Sequence, residues 1–139
     1  MATDSNAVDL ALVALLGDPA LAALMPGGVF FDYHKGPVTQ FVIVSAVTHL
    51  DDAKFGGTNY EVFRYLVKAV EKETTGANVK AASARIHALL MESPLVASGY
   101  THMQTERVGR VRFTAIDEVD QDGRWQHRGG VYEVWMSPD

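Results

Sequence analysis

No cysteine occurs anywhere in this 139-residue chain, so thiol nucleophiles, disulfides and cysteine-ligated zinc are all excluded. An excess of positive charge is missing too. Twelve Lys and Arg stand against 17 Asp and Glu, a formal net charge of −5, which argues against a general affinity for nucleic acid, whose binders present a basic face. Long apolar runs are lacking as well. The first apolar stretch has no positive flank and is broken by Asp9 and then by Gly17-Asp18-Pro19, so neither a signal peptide nor a membrane span is expected.

Catalytic signatures are equally scarce. There is no Gly-x-Ser-x-Gly elbow, no Walker loop and no Gly-x-Gly-x-x-Gly turn, so acyl transfer by a serine elbow and phosphate cradling by a glycine loop find no support. The histidines, His34, His49, His87, His102 and His127, never fall three or four apart, the spacing that lets two imidazoles share a metal on one helix. Glu118-Val-Asp120-Gln-Asp122-Gly123 mimics the first half of a calcium loop, but the twelfth position is Gly129 where a bidentate glutamate belongs. No catalytic residue, cofactor or metal is expected, and the protein reads as a non-enzyme.

What is present is the patterning of one domain spanning residues 1–139. An apolar share of 47% and a charged share of 21% suit a single compact core. Thr75 to Met91 is the clearest element. Val79, Ala82, Ile86, Leu89 and Leu90 recur on one helical face, Thr75-Gly76 can start the helix, and Ser93-Pro94 stops it. A first helix follows Ser5 or Asn6, with Val8, Leu12, Leu15 and Leu16 in a stripe and Leu10 and Val13 off it. Gly17 ends it, and Asp18-Pro19 restarts a short helix through Leu24.

Strands are expected at Val29–Phe31, Gln40–Thr48, Tyr60–Val70, Tyr100–Arg107, Val111–Val119 and Val131–Met136, with the second of these central. The segment from His49 to Asn59, with Asp51-Asp52 and Lys54-Phe55-Gly56-Gly57, reads as a loop. Glu61, Phe63, Tyr65, Val67 and Ala69 form the core face of the third strand. The order of elements implies an α+β fold, an antiparallel or mixed sheet with two helices packed on one face. Tyr60, Val62, Leu66, Tyr132, Val134 and Trp135 cannot all point to the helix side, so apolar surface should remain for assembly.

Arg107, Arg110 and Arg112, with Arg124 and Arg128 nearby, make the only basic concentration. Arg110 and Arg112 share one strand face, giving a positive strip beside Glu106 and Asp117 that is a solvated charged strand or, if assembled in a ring, a phosphate contact. Trp125, set in a polar run, reads as an interface aromatic, and Phe55 as a tuck-in anchor or a partner contact.

The order and spacing of several short stretches resemble the tail terminator, or tail-completion, family of long-tailed bacteriophages and gene-transfer particles. They are Leu15-Leu16-Gly17-Asp18-Pro19-Ala20-Leu21, the glycine turn into Val29-Phe30, and the proline before Phe41-Val42-Ile43-Val44. The Ala82 to Leu90 helix leading to Gly99-Tyr100 follows, and then Asp122-Gly123-Arg124-Trp125-Gln126-His127-Arg128 running into Val131-Tyr132-Glu133-Val134. The resemblance spans nearly the whole chain. It implies a virion structural protein made in the host cytoplasm, a ring, usually a hexamer, that caps the tail tube and joins it to the head connector at the head-tail junction. The implied partners are other copies of the chain, the tail tube protein and the head connector or head-closure protein, with DNA crossing the lumen without specific binding and no membrane involved. Interface residues expected on this reading are Asp51, Asp52, Lys54, Phe55, Arg110, Arg112, Arg124 and Trp125. A neck, head-closure or tail-tube subunit is the nearest alternative, and a small-molecule-binding or enzymatic α+β domain with a pocket between helix and sheet a further one.

Overall fold

A computed structural model describes residues 6–32, 36–53, 59–72, 75–117 and 123–139. The chain runs α1 (Ala7–Leu15), α2 (Pro19–Leu24), β1 (Val29–Phe31), β2 (Gln40–Ala53), β3 (Asn59–Lys72), α3 (Ala77–Glu92), β4 (Tyr100–Ile116) and β5 (Arg124–Pro138). The five strands form one mixed sheet in the order β1-β2-β3-β5-β4. β1 pairs parallel to β2, and every other pair is antiparallel. This is the expected α+β fold with helices on one face, but the restart at Asp18-Pro19 is a helix in its own right, so three helices cover the sheet rather than two.

Each helix is bounded by the chemistry of its ends. The Asp18 side chain accepts from the Leu21 amide at 3.0 Å and Pro19 occupies the first turn, where its missing amide costs nothing. Gly76 caps α3 with φ of 73°, a left-handed conformation that suits glycine, and Ser93 ends the helix in extended conformation before Pro94. Arg85 of α3 reaches across to Asp18 with two hydrogen bonds of 2.9 and 2.8 Å, which ties α2 to α3 and holds the Asp18 carboxyl down at about 2.

The core lies between these helices and the sheet. Val79, Ala82, Ile86, Leu89 and Leu90 of α3 are buried against Val67 and Ala69 of β3 and Tyr132, Val134 and Met136 of β5, and Val8, Leu12, Leu16 and Leu21 fill the side nearer β1 and β2. Burying side chains of this size contributes roughly 1.5–3 kcal/mol each. The third strand follows its expected alternation, with Glu61, Phe63, Tyr65, Val67 and Ala69 all buried.

Three expectations are corrected. His49 to Ala53 and Asn59 are strand and not loop, because β2 and β3 stay paired out to Ala53↔Asn59. The two strands expected from Tyr100 and from Val111 are one strand, Tyr100–Ile116, since irregularities at His102/Gln104 and Arg107/Gly109 absorb the extra residues without ending the ladder. The last strand starts at Arg124, seven positions before Val131. Gly129 lies within it because a Cβ there would sit 2.0 Å from the Val67 carbonyl oxygen, so only glycine lets β5 lie this close to β3.

Candidate functional site

α3 rests on β3 and β5, and β4 extends beyond it as the outer strand of the sheet. The gap between the flank of α3 and the helix-side residues of β4 is a cleft of about 640 Å³. Arg107, Arg110 and Arg112 enter it from β4, Arg128 from β5, and Lys80 and His87 from α3. Arg107, Arg110 and Arg112 stand opposite Tyr132, Gly130 and Arg128 of β5, every second residue, so they form a row with steps of ~6.8 Å along one face. The irregularity at Arg107/Gly109 brings Arg107 onto that face despite its odd number.

None of these four arginines, nor Lys80, is in an ion pair among the described residues. The expected strip beside Glu106 and Asp117 is therefore a cleft without acids. Glu106 stands opposite Glu133, on the other side of the sheet from Arg107, and Asp117 is taken by Lys72 at 3.2 Å and by the Trp125 indole N–H at 2.9 Å. His87 Nδ1 lies 3.1 Å from the Tyr132 hydroxyl. Burial, with Arg107 and Arg110 adding repulsion, pushes the His87 pKa down, so the imidazole is neutral at pH 7. A pocket lined by His87 together with acids would support acid–base catalysis, but the lining here carries no carboxylate, so His87 has no acidic partner in the cleft.

The opposite face of the sheet carries no described helix. Register and burial divide the questioned residues: Tyr132 and Val134 are buried on the helix side, whereas Tyr60, Val62, Leu66 and Trp135 lie on the uncovered side and are only partly buried. There Tyr60 stacks on Trp135 at 5.4 Å, Phe113 stacks on His127 at 4.1 Å, and Lys68 lies 5.0 Å above the Phe113 ring. Phe41, Ile43, Val70, Ala115 and Trp125 line a shallow hollow of about 230 Å³. Ion pairs on this face join Arg64 to Glu133 and, beside Trp125, Lys72 to Asp117.

Both sheet margins are open. β1 pairs only with Val42–Val44, so beyond it the outer edge of β2 has no strand partner among the described residues, and β4 has none along its outer edge. Leu50 and Ile116 on these margins are 58% and 62% exposed. Such edges invite pairing with another chain.

A third cluster escaped the sequence reading. His49, Asp51 and Glu61 place one imidazole nitrogen and two carboxylate oxygens within 4.8 Å of one another, an arrangement that could ligate a divalent cation. Helical spacing could not reveal it, because it uses a strand's two-residue period and a cross-strand pair, Asp51↔Glu61. Glu61 is buried, yet its Oε1 already accepts from the Tyr100 hydroxyl at 3.0 Å and lies 2.5 Å from His49 Nε2. These contacts account for the burial of Glu61 without a metal, and its neighbourhood pushes the Tyr100 pKa up to about 12, burial first and the Glu61 hydrogen bond second.

Of the expected interface residues, Arg110 and Arg112 come together in the cleft. Asp51 lies on the open margin of β2, as does the backbone of Asp52. Arg124 and Trp125 begin β5, away from the cleft lining, and Trp125 packs edge-on against Phe41 at 6.3 Å. Lys54, Phe55 and the half calcium loop at 118–122 fall outside the described residues. Arg128, already grouped with the arginines by sequence, joins them from β5, whereas Lys80 and His87 are cleft residues that sequence reasoning did not group with them, since they come from α3.

No protein-family model matches the chain, and no curated protein matches it. Among solved structures it is similar to a chain of the virion of a native gene transfer agent (GTA) particle, with 21% identity, a TM-score of 0.71, and coverage of 95% of this chain and 96% of that one. At this identity the likeness is one of fold, and it extends over nearly the full length of both chains.

Proposed function

We propose that the protein is a structural component of a phage-like virion, and within that class a tail terminator: a ring, hexameric on this reading, that caps the tail tube and meets the head connector. The observation that carries the reading is the fold shared, almost end to end, with a chain of the gene transfer agent virion. The resemblance to tail terminators in the order of its apolar stretches supports the finer assignment. The surface is consistent with it, because a ring of identical subunits needs two different complementary patches on each copy. The margins of β1–β2 and β4 are two such patches, at opposite ends of one sheet. Continuing the strand directions around a rotational axis sets β4 of one copy antiparallel to β2 of the next.

On this reading the protein has no active site, its partners are its own copies, the tube protein and the connector, and DNA crosses the lumen without sequence-specific contact. Among the described residues no helix is long and apolar enough to cross a membrane.

Adding the purified protein to uncapped tail tubes and imaging them by electron microscopy tests the assignment. Rings at tube ends, with tube growth halted, are expected. Incorporation all along the tube would make it a tube subunit, binding to heads alone a neck or head-closure protein, and failure to bind either rules out the terminator role.

A further inference from the structure

We propose that the cleft between α3 and β4 is a binding site for the sugar–phosphate backbone of a nucleic-acid strand, held without regard to base sequence. This inference does not depend on the ring, because it concerns a surface complete within one subunit.

Charge distribution is the first argument. The chain has 12 basic and 17 acidic residues, and five of the basic ones, Lys80, Arg107, Arg110, Arg112 and Arg128, line this one cleft. Seven basic residues therefore face all 17 acids elsewhere. A net charge of −5 hides a strongly divided molecule, and the inference from net charge against phosphate binding does not reach the cleft. At physiological salt, charges more than about 8 Å away are largely screened, so an anion in the cleft responds chiefly to its lining.

The second argument is the lack of internal compensation. Five permanent cations share one concavity with no carboxylate in its lining, and Arg110 stands beside Arg112, which stands opposite Arg128. Like charges directly opposite on a sheet are destabilising unless an anion lies among them. Glycines sit in the adjoining stretch of β5: a Cβ at Gly130 would lie 2.9 Å from the Gly109 carbonyl oxygen and 3.1 Å from Arg107 Cδ, so a side chain there would crowd the arginine row.

The third argument separates a phosphate strand from an acidic protein segment. Protein docking sites are organised around buried aromatic or aliphatic anchors. This lining offers only Ala84 as an apolar side chain, since Val111 alternates to the other side of β4, and it has no Phe, Tyr or Trp. Without an aromatic platform there is nothing on which an unpaired base could stack, so the contact is to backbone alone. Three arginines in steps of ~6.8 Å make a row suited to an extended, repeating line of anions rather than to one isolated ion. Arg guanidinium groups also match phosphate oxygens in bidentate fashion.

The test is fluorescence anisotropy with the full chain and a labelled 20-base-pair DNA, at 50 and 200 mM salt. Engagement of three to four phosphates gives a salt slope of about −2.7 to −3.6, which is a weakening of roughly 40- to 150-fold across that range. Changing base sequence should alter affinity by less than about threefold. Arg110→Glu with Arg112→Glu should lower affinity at least about a hundredfold, while Arg110→Lys with Arg112→Lys retains most of it. A second readout needs no variant: the His87 ring, followed by NMR, should shift and its pKa should rise when DNA binds. No binding at 50 mM salt, binding unaffected by the double reversal, or a silent His87 would overturn the proposal. So would polyglutamate of matched length displacing the DNA at equal charge concentration, which would make the cleft a dock for an acidic protein.

Discussion

Along β3, neighbouring residues meet two different environments. Phe63, Tyr65, Val67 and Ala69 are almost fully removed from solvent beneath the helices, whereas Val62, Leu66 and Lys68, one position away, remain partly open on the other side of the sheet. The backbone and its hydrogen bonds are common to both faces, so the difference comes from what lies above each. The helix side is closed by this chain's own residues, with Leu, Ile and Val interlocked around Tyr65 and Tyr132. The other side has apolar and aromatic groups of similar kind and no helix over them among the described residues; only at its Phe41–Val70 end, beside Trp125, is it buried. One face therefore governs whether the subunit folds, and the other, with the open margins, is the surface that the proposed assembly would use.

That division makes the covered face the more sensitive to truncation. Ile86 is wholly buried in the middle of α3. Ile86→Ala should cost about 3–4 kcal/mol, the usual range for emptying a tightly packed aliphatic site. Urea unfolding would measure it, and a cost below about 1 kcal/mol would mean that α3 is not packed as described.

The covered face holds two buried acids, Glu61 and Glu71, and the first sharpens the contrast. Glu61 lies among apolar neighbours with its Oε1 held by Tyr100 and His49. Tyr100→Phe removes the hydroxyl donor at almost constant shape, leaving a buried carboxylate with less compensation, and should cost about 2–3 kcal/mol. Pairing it with Glu61→Gln in a double-mutant cycle should show the two effects to be strongly non-additive. Additive effects would show that the hydrogen bond does not form.

Much of this was legible in the sequence, and what was not has physical reasons. The limits of α3, the span of β1 and the core face of β3 follow from periods of 3.6 and 2 and from helix-end chemistry, all local signals. The outer half of β2 was hidden because Asp51-Asp52 has loop composition, and only its pairing with Glu61 and Tyr60 makes it strand. The start of β5 was hidden because Gly129-Gly130 suggests a turn, whereas the glycines answer to the closeness of β3 and of Arg107. The cleft was half visible: alternation put Arg110 and Arg112 on one face and Arg128 was near them in sequence, but no local rule brings Lys80 and His87 beside them. A surface assembled from three elements is a tertiary fact.

A proton on the uncovered face offers a milder test. Burial first, and Lys68 second, hold the His127 imidazole down to about 4, and its Nδ1 is buried without a hydrogen-bond partner among the described residues. The folded value lies below the ordinary value of about 6.5, so the unfolded chain takes up the proton first. Stability should therefore fall as pH drops from about 6.5 towards 4, and this group should add no further loss below that. Because the ring is partly exposed, the effect is about 1 kcal/mol. His127→Gln should flatten that part of the stability–pH curve, and an unchanged slope would show that His127 titrates normally.

The smallest effect on folding should accompany the largest on assembly. Leu50 and Ile116 lie on the two open margins and are mostly exposed already, so Leu50→Ser and Ile116→Ser remove little buried area. Each should change unfolding free energy by less than about 0.5 kcal/mol, the common result for surface positions. If copies join margin to margin, the same substitutions take apolar contacts from every junction of the ring, and the loss multiplies with the number of junctions. Thermal melting should then leave the variants indistinguishable from the parent, while their capping of tail tubes in electron micrographs falls sharply. Variants that cap tubes as well as the parent would show that these margins are not where subunits meet. The joint would then have to be sought on the uncovered face itself, around Trp125 and Phe113.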